Sequence, residues 1–327
     1  MKGVKIFLIA SALLLVGADI ALRLAGVDDF PLYRTDPEIG YVVAPDQRGS
    51  FLNRNRWEYN EYGMGAGPFQ PEGRRNLLLI GDSIVLGGNP LDQSVRLGPV
   101  LERNLGPNWA VWPIAAQGWS SLNKEAWLKQ HPEIVSKMEW LVWVMKSSDF
   151  QGLSIWQSNL FNPLHHPIWL AGYLFEKQCW VFRIAPRLPL WLHLYQPAAF
   201  DGIPLNAKIP EIEDFLRNLK QTNPNLHILL VWYPEVAELH PPLGDFYLQA
   251  GAGWNAFAGQ EGLSFVDLGR ESSWSAADYR DQIHPNADGD RALAAILQRI
   301  IGQASANGDT PPAETPAPAA PPTNPAP

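Results

Sequence analysis

The sequence predicts an α/β protein in which a parallel sheet lies between two layers of helices. From residue 76 onward, short apolar segments alternate with longer segments of helical periodicity, a pattern typical of parallel strands joined by crossover helices. The first apolar segment, residues 77–80, contains no polar residue, as expected of a strand that is covered on both faces. A chain of 327 residues is long enough for one large core with a modest appendage.

The predicted sheet has five strands, each followed by a helical segment or a long connection. The strands are predicted at residues 76–80, 109–115, 140–146, 227–234 and 263–268. The helices are predicted at residues 93–104, 122–137, 210–221, 244–260 and 287–303. Together they define a main domain over residues 76–303, interrupted by one insertion.

The N-terminal residues 1–24 are predicted to be a membrane anchor or a signal peptide. Two lysines precede an apolar run that Asp19 interrupts and Arg23 closes, and residues 4–22 are just long enough to span a bilayer at about 1.5 Å per residue. No clean site of two small residues for signal cleavage follows the run. This favours an uncleaved anchor, with a secreted protein as the alternative.

The charges around this segment predict its orientation. Lys2 and Lys5 lie before the apolar run, whereas Asp28 and Asp29 follow it. Positive charge stays on the cytoplasmic side of a membrane span, so the bulk of the protein is expected to face outward. In a bacterium this means an inner-membrane anchor with the main domain in the periplasm.

Three further segments do not belong to the alternating pattern. Residues 25–75 are rich in turn formers with short aromatic runs, and we expect turns and short strands there. Residues 304–327 are mostly Pro, Ala and Thr, which cannot build a core and predict a disordered tail.

The third segment, residues 150–210, is an aromatic insertion between the third and fourth predicted strands. Prolines divide its apolar stretches, so none of them is long enough to cross a membrane. Two interpretations stay open: a pair of helices packed on the domain, or a lid over a site or a surface that rests on lipid. Its aromatic residues are Trp156, Phe161, Trp169, Tyr173, Phe175, Trp180, Phe182, Trp191 and Tyr195.

Composition excludes several classes of function. A net charge of −8 without a basic stripe argues against nucleic acid as a partner. The one cysteine, Cys179, excludes an intramolecular disulfide. None of the histidines before residue 284 has Cys, Asp or His at metal-ligand spacing, so no metal is predicted. The 14 tryptophans fit either core packing or a carbohydrate site, and core packing is the simpler interpretation.

A serine at the end of the first strand is the candidate nucleophile. Ser83 follows Gly81, expected to allow a sharp turn, and the carboxyl ends of parallel strands are where open α/β sheets bind ligands. A hydroxyl needs an imidazole to accept its proton and a carboxylate to orient that imidazole. Asp281 and His284 lie three residues apart just before the last helix, and we expect them at the same sheet edge.

These two motifs resemble the first and last sequence blocks of the SGNH, or GDSL-like, hydrolases. The matching residues are Gly81-Asp82-Ser83 and Asp281-x-x-His284. The resemblance implies a three-layer α/β/α sandwich with a flavodoxin-like sheet, an acyl-ester chemistry that needs no cofactor, Ser83 as nucleophile and His284 as general base. It further implies that Asp281 orients the histidine and that Asp82 is structural.

The two middle blocks of the family supply its oxyanion hole. Gly118 stands where the family has its glycine, so the resemblance implies N–H donation from Ser83 and Gly118. The family's asparagine is replaced by Ser148, whose hydroxyl would donate in its place. Losing one such donor costs on the order of 100 to 1,000-fold in rate. Residues 36–41 and 60–63 also resemble the segment that precedes the sheet in membrane-anchored members.

The resemblance and the anchor together predict a serine esterase that removes acyl groups, in particular acetyl groups, from a cell-envelope or exported polysaccharide. The partners expected are an acylated carbohydrate, the membrane and proteins of polysaccharide synthesis or export. Two alternatives stay open. One is an O-acyltransferase that uses the same three residues, and the other is a weakly active or inactive subunit of a polysaccharide synthesis or export complex.

Overall fold

The computed structural model describes residues 2–178, 204–239 and 245–306. In chain order the strands are β1 (Tyr33–Asp36), β2 (Gly40–Val43), β3 (Gln47–Phe51), β4 (Asn55–Tyr59), β5 (Arg75–Gly81), β6 (Trp109–Ala115), β7 (Trp140–Met145), β8 (His227–Trp232) and β9 (Ser264–Asp267). The α-helices are α1 (Lys2–Leu24), α2 (Ser83–Leu86), α3 (Leu97–Leu105), α4 (Ser121–Gln130), α5 (Pro132–Val135), α6 (Leu170–Leu174), α7 (Ile209–Thr222), α8 (Asp245–Glu261) and α9 (Ala287–Ala306).

The central sheet has five parallel strands in the order β6-β5-β7-β8-β9. Numbered within the sheet, this is the order 2-1-3-4-5 of flavodoxin-like folds, whose ligands bind beyond the carboxyl ends of the strands. The predicted parallel, flavodoxin-like sheet is therefore confirmed. Each of the five predicted strands is present, with ends that differ by at most two residues.

Side chains that alternate along the strands build two cores, one on each face of the sheet. On one face, residues such as Trp143 and Trp232 pack with α4, α7 and α8. On the other face, Val144 and Val231 pack with α3 and α9. Both faces are fully covered, so the molecule is a three-layer α/β/α sandwich and its strands are apolar at nearly every position.

Residues 25–75 contain two antiparallel hairpins, formed by β1 with β2 and by β3 with β4. Their buried aromatic residues, including Tyr41 and Trp57, extend the core that contains Trp143. The hairpins thus pack on the sandwich, and they bring Tyr41 to the end of β6, where its hydroxyl donates a 2.7 Å hydrogen bond to the Gln117 carbonyl.

Helix α1 is exposed over most of its length and contacts the rest of the molecule near its C-terminal end. The helix from Gly3 to Leu24 has a mean hydropathy of 2.1 in its most apolar window and is long and apolar enough to cross a membrane. Asp19, near its end, accepts a 3.0 Å hydrogen bond from the backbone N–H of Ala171, which lies in α6.

Two predicted helices are each interrupted. The segment predicted at 93–104 is a 3₁₀ turn (Gln93–Val95) followed by α3, because Arg96 adopts an extended conformation and its guanidinium donates to the Leu91 carbonyl. The segment predicted at 122–137 is broken at His131, which precedes the first residue of α5, a proline. A proline disfavours the helical conformation of the residue before it, so the sequence already contained the signal for this break.

Part of two predictions lies outside the described residues. For the insertion, these are residues 179–203, which include Cys179 and the aromatic residues from Trp180 to Tyr195. For the C-terminal tail, they are residues 307–327. Among the described residues of the insertion, α6 and the turn before it contact α1.

Candidate active site

The serine predicted as nucleophile lies where the sheet ends. β5 terminates at Gly81, and Ser83 is the first residue of the short helix α2, which the sequence analysis missed. The carboxylate of Asp82 caps this helix by accepting a 3.0 Å hydrogen bond from the backbone N–H of Ile84. Helix capping therefore holds the serine in place.

The turn after Gly81 requires a glycine because of close packing and not because of a left-handed backbone. Gly81 does not adopt the left-handed conformation in which only glycine is comfortable. Instead, a Cβ at this position would lie 2.3 Å from the Cγ2 of Val85. The absence of a side chain allows α2 to pack closely on the end of β5, and this close packing presents Ser83 at the sheet edge.

The structure brings Ser83, His284 and Asp281 together. His284 Nε2 lies 2.9 Å from Ser83 Oγ, and His284 Nδ1 lies 2.9 Å and 3.0 Å from the two carboxylate oxygens of Asp281. The two residues of the last motif occupy the loop before α9, and a bridge between Tyr279 and Pro285 closes the base of that loop.

Local hydrogen bonds also hold the carboxylate of this group. Asp281 Oδ1 accepts the backbone N–H groups of Ile283 at 2.9 Å and of His284 at 2.8 Å. Partial burial acts to raise the pKa of Asp281, but these two N–H donors and the imidazole outweigh it and lower the pKa below its usual value. Asp281 is therefore a carboxylate at neutral pH, as a group that stabilises a protonated imidazole must be.

Arg280 connects the two parts of the site. Its guanidinium donates a 2.8 Å hydrogen bond to the carbonyl of Gly87, which follows α2, and it also lies 3.8 Å from the Asp281 carboxylate. The loop that carries His284 is thus tied to the helix that carries Ser83. Sequence reasoning missed this residue, although its position next to Asp281 was a signal.

A buried ionic network lies beneath the nucleophile turn. Lys146 Nζ is 2.8 Å from Asp82 and 2.5 Å from Asp149, and Lys124 Nζ is 2.5 Å from the other oxygen of Asp149. Burial acts to raise the pKa of Asp82, but the two ammonium groups lower it. Burial would lower the pKa of Lys146, yet Asp149 and Asp82 raise it. The charges of the two lysines therefore balance those of the two aspartates. These contacts give Asp82 a structural role beneath the turn that carries Ser83.

The loop after β6 carries the glycine predicted as an oxyanion donor. Gly118 has φ +78°, a conformation that favours glycine, and it is exposed. The carbonyl of Gln117 accepts hydrogen bonds from the Tyr41 hydroxyl at 2.7 Å and from the Asn162 amide at 3.3 Å. The N-terminal hairpins and the insertion therefore both hold this loop, and neither contact was visible in the sequence.

The serine that replaces the family's asparagine lies in a 3₁₀ turn after β7. Ser148 is exposed and is not among the residues that line the cavity at Ser83. Its neighbour Ser147 is buried and donates a 2.5 Å hydrogen bond to Glu238. Donation from Ser148 to an oxyanion stays a prediction.

A cavity of about 440 Å³ opens over Ser83 and His284. The N-terminal region and the insertion supply most of its walls. Its aromatic lining consists of Phe30, Tyr33, Phe51, Tyr59, Phe161 and Tyr173. Within the residues that the structure describes, no cluster of three or more His, Cys, Asp or Glu is placed to hold a metal ion.

No protein-family model matches the chain, and no curated protein matches it significantly. Several solved structures are similar to it. TesA has 15% sequence identity and a TM-score of 0.43, with 70% of this chain and 99% of that chain covered. The lipase/acylhydrolase from Enterococcus faecalis has 13% identity and a TM-score of 0.43, with 70% and 96% covered. A catalytic mutant of Axe2, an acetylxylan esterase from Geobacillus stearothermophilus, has 18% identity and a TM-score of 0.41, with 71% and 97% covered.

Proposed function

We propose that the chain is an SGNH-type serine ester hydrolase that works through an acyl-serine intermediate. The observation that carries this proposal is the chain of contacts from Ser83 Oγ to His284 Nε2 at 2.9 Å and from His284 Nδ1 to Asp281 at 2.9 Å. Both distances are within the hydrogen-bond range required for proton transfer.

In the first half-reaction, Ser83 Oγ attacks the ester carbonyl while His284 Nε2 accepts the hydroxyl proton. The imidazolium then donates that proton to the leaving alkoxide, and the alcohol departs from an acyl-serine. In the second half-reaction, water attacks the acyl carbonyl and gives its proton to the same nitrogen, which returns it to Ser83 Oγ as the acid leaves. Asp281 keeps the Nδ1 proton in place and stabilises the imidazolium.

The tetrahedral intermediates carry a negative oxygen that needs preorganised donors. We assign this role to the backbone N–H groups of Ser83 and Gly118, with the Ser148 hydroxyl as a third candidate. The Gln117 carbonyl is held by two hydrogen bonds, so the adjoining Gly118 N–H has little freedom to turn away. Because Ser148 stands where the family has an asparagine donor, this oxyanion hole has one strong donor fewer, and we expect slow turnover.

The substrate proposed is an O-acyl, in particular O-acetyl, ester of a cell-envelope or exported polysaccharide. The cavity volume of about 440 Å³ suits a small ester with one or two sugar rings. Aromatic faces such as those of Tyr59 and Phe161 in its walls are suited to packing against the apolar faces of sugars. An outward-facing anchor would place this cavity among envelope glycans.

The same site supports acyl transfer to a sugar hydroxyl as a second candidate. Transfer requires that water be kept from the acyl-serine, and the insertion covers part of the cavity with Phe161, Tyr173 and Leu174. The acceptor would then take the place of water in the second half-reaction.

Acetate release from p-nitrophenyl acetate and from acetylated xylan tests the proposal. We expect the full-length protein to release acetate and the Ser83→Ala variant not to, while Ser136→Ala, a change at an exposed serine, leaves the rate unchanged. Transfer of acetyl to an added oligosaccharide in place of release would identify the transferase. If the protein shows neither acetate release nor acetyl transfer, and a fluorophosphonate does not label Ser83, both the esterase and the transferase proposals are overturned. The chain would then be a non-catalytic subunit.

A further inference from the structure

Large apolar side chains are exposed beside the C-terminal end of α1. Ile168 is 97% exposed, Trp169 55% and Phe175 56%, and they lie directly before or after α6. We call these three residues the apolar rim. Isolated exposed apolar residues are ordinary, but three of them within eight residues of the chain, next to a helix of membrane-spanning composition, require an explanation.

Polar bonds join the rim to α1. Arg23 donates to the carbonyl of Pro167 at 2.8 Å and to that of Ile168 at 2.9 Å. Asp19 accepts the backbone N–H of Ala171 and also the guanidinium of Arg23. Asp19 and Arg23, the two charged residues near the end of α1, thus bind the first turn of α6 and the residues directly before it.

In a bilayer that α1 spans, the length of this helix would put the attachment at the membrane boundary. At about 1.5 Å per residue, the 22 residues from Gly3 to Leu24 span roughly 33 Å, slightly more than the hydrocarbon thickness of about 30 Å. Asp19 and Arg23 lie in the last turns of that span. Because the turn at residues 167–171 is bonded to them, it lies at the same depth, where apolar side chains and Trp are favoured.

We propose that the apolar rim lies in the interfacial layer of the bilayer that holds α1, and that the cavity therefore receives an ester presented at the membrane surface. The second part rests on the proposed function, whereas the first does not. The substrate class is an acyl ester on a molecule that the membrane itself retains, such as a lipid-linked saccharide.

The same short helix connects the rim to the cavity. Tyr173 and Leu174 of α6 line the cavity, and Lys177 follows them on the same wall. The ring of Phe30, six residues after the end of α1, stacks on Tyr173 with the centroids 6.0 Å apart. One wall of the cavity is thus built from the two segments attached to the membrane helix, so a membrane-held ester has a short path to Ser83.

Depth measurement by spin labelling tests the first part. The full-length chain, with Cys179→Ser, is labelled at Ile168→Cys and reconstituted in vesicles of phosphatidylethanolamine and phosphatidylglycerol. We expect the label at residue 168 to collide more with oxygen than with a water-soluble nickel chelate. A label at Leu14→Cys in α1 should show the same preference, whereas a label at Gln303→Cys, at the opposite sheet edge, should collide more with the nickel chelate. Preference for the nickel chelate would overturn the proposal. Shielding of the label from both reagents would overturn it as well, because it would mean that protein and not lipid covers the rim.

A paired assay tests the second part. We expect Ile168→Asp to lower kcat/KM about tenfold for p-nitrophenyl palmitate held in the same vesicles and to leave soluble p-nitrophenyl acetate unchanged. Ala295→Asp, an exposed change on α9, is expected to alter neither. Equal rates of Ile168→Asp and wild type on the vesicle-held ester would contradict delivery from the membrane. If the wild type cleaves neither ester, the proposed function fails, and the spin label still decides the position of the rim.

Discussion

At the scale of the residue, a serine hydroxyl becomes a nucleophile only where an imidazole accepts its proton. In this chain the imidazole comes from a residue 201 positions away, and its nitrogen lies 2.9 Å from the hydroxyl. The orienting carboxylate, by contrast, is local, since one turn with two backbone hydrogen bonds aligns Asp281 with His284.

Replacing this carboxylate tests its role without removing a hydrogen-bond acceptor. We expect Asp281→Asn to lower kcat for p-nitrophenyl acetate on the order of 10,000-fold, because the amide neither fixes the imidazole tautomer nor stabilises its positive charge. KM and the thermal unfolding midpoint are expected to change little, because the Asp281 side chain is 49% exposed and the amide oxygen of Asn can still accept the two backbone N–H groups. A loss below tenfold with intact fold would remove Asp281 from the mechanism.

Asp290, on α9, is a buried carboxyl group whose two oxygens have no hydrogen-bond partner among the described residues. Burial raises its pKa to about 8, although Arg280, Arg96 and Arg291 counteract part of the rise. The unfolded chain ionises this group near the ordinary value of 3.8, so folding stability falls as pH rises from there to about 8, by up to about 1.4 kcal/mol per pH unit.

We therefore expect Asp290→Asn to stabilise the protein increasingly as pH rises through this window. Thermal unfolding of both forms, measured at several pH values between about 5 and 8, checks the prediction. The difference in Tm should be small at the acid end and should grow toward the alkaline end. A difference that does not vary with pH would show that the carboxyl group is ionised in the folded protein.

At the scale of the element, close packing of α2 on β5 determines where Ser83 stands. Gly81→Ala would place a methyl group 2.3 Å from Val85 Cγ2, so the helix must move. We expect a loss of about 1–3 kcal/mol in the free energy of unfolding and a lower kcat, because the helix carries the nucleophile.

Val85→Ala supplies the matched suppressor for this change. It removes the Cγ2 atom, so the double variant Gly81→Ala/Val85→Ala should recover kcat relative to Gly81→Ala alone, and the two substitutions should be non-additive in urea unfolding. Simple additivity of the two effects would show that the glycine serves another purpose.

Lys146, directly after β7, supports the turn that carries Ser83 through an ion pair with Asp82. Lys146, which is 12% exposed, neutralises Asp82 and Asp149, which are 3% and 1% exposed. We expect Lys146→Met to lower the free energy of unfolding by about 3–5 kcal/mol, because it leaves the buried Asp82 carboxylate without its ion-pair partner, whereas Asp149 keeps Lys124. Urea denaturation measures this loss.

An exposed ion pair provides the control for this prediction. Lys208, 41% exposed, pairs with Glu211, 48% exposed, and Lys208→Met should cost less than about 1 kcal/mol. Equal losses for the two lysines would contradict a structural role of the network.

The ionic network also makes stability depend on pH. Because the pKa of Asp82 is lowered, its contribution to stability is present above the usual carboxyl pKa and is lost as pH falls through the lowered value.

At the scale of the whole molecule, α1 is attached to the cavity wall through Asp19, Arg23 and α6. A helix that contributes contacts to the folded domain is expected to stay on the mature protein. We therefore expect the intact mass of protein isolated from membranes to include residues 1–24, and Asp19→Ala to lower the thermal unfolding midpoint by loosening α6. A mass that lacks this segment would support the secreted alternative.

The sequence by itself determined the sandwich, because apolar runs of strand length alternate with helical segments in an order that only a covered parallel sheet accommodates. It also determined the candidate nucleophile, base and acid, since each motif follows or precedes an element whose end is predictable. Short apolar runs and turn residues carry this information locally.

Only the tertiary structure decided what surrounds those three side chains. The bonds of Tyr41 and Asn162 to the loop at Gln117, the ionic network of Lys146 and the attachment of α1 to α6 join residues that are far apart in the chain. Their pairing depends on how two hairpins and an insertion pack on the sandwich. Packing between distant segments has no period or spacing in the sequence, and for that reason it appears only when the chain is folded.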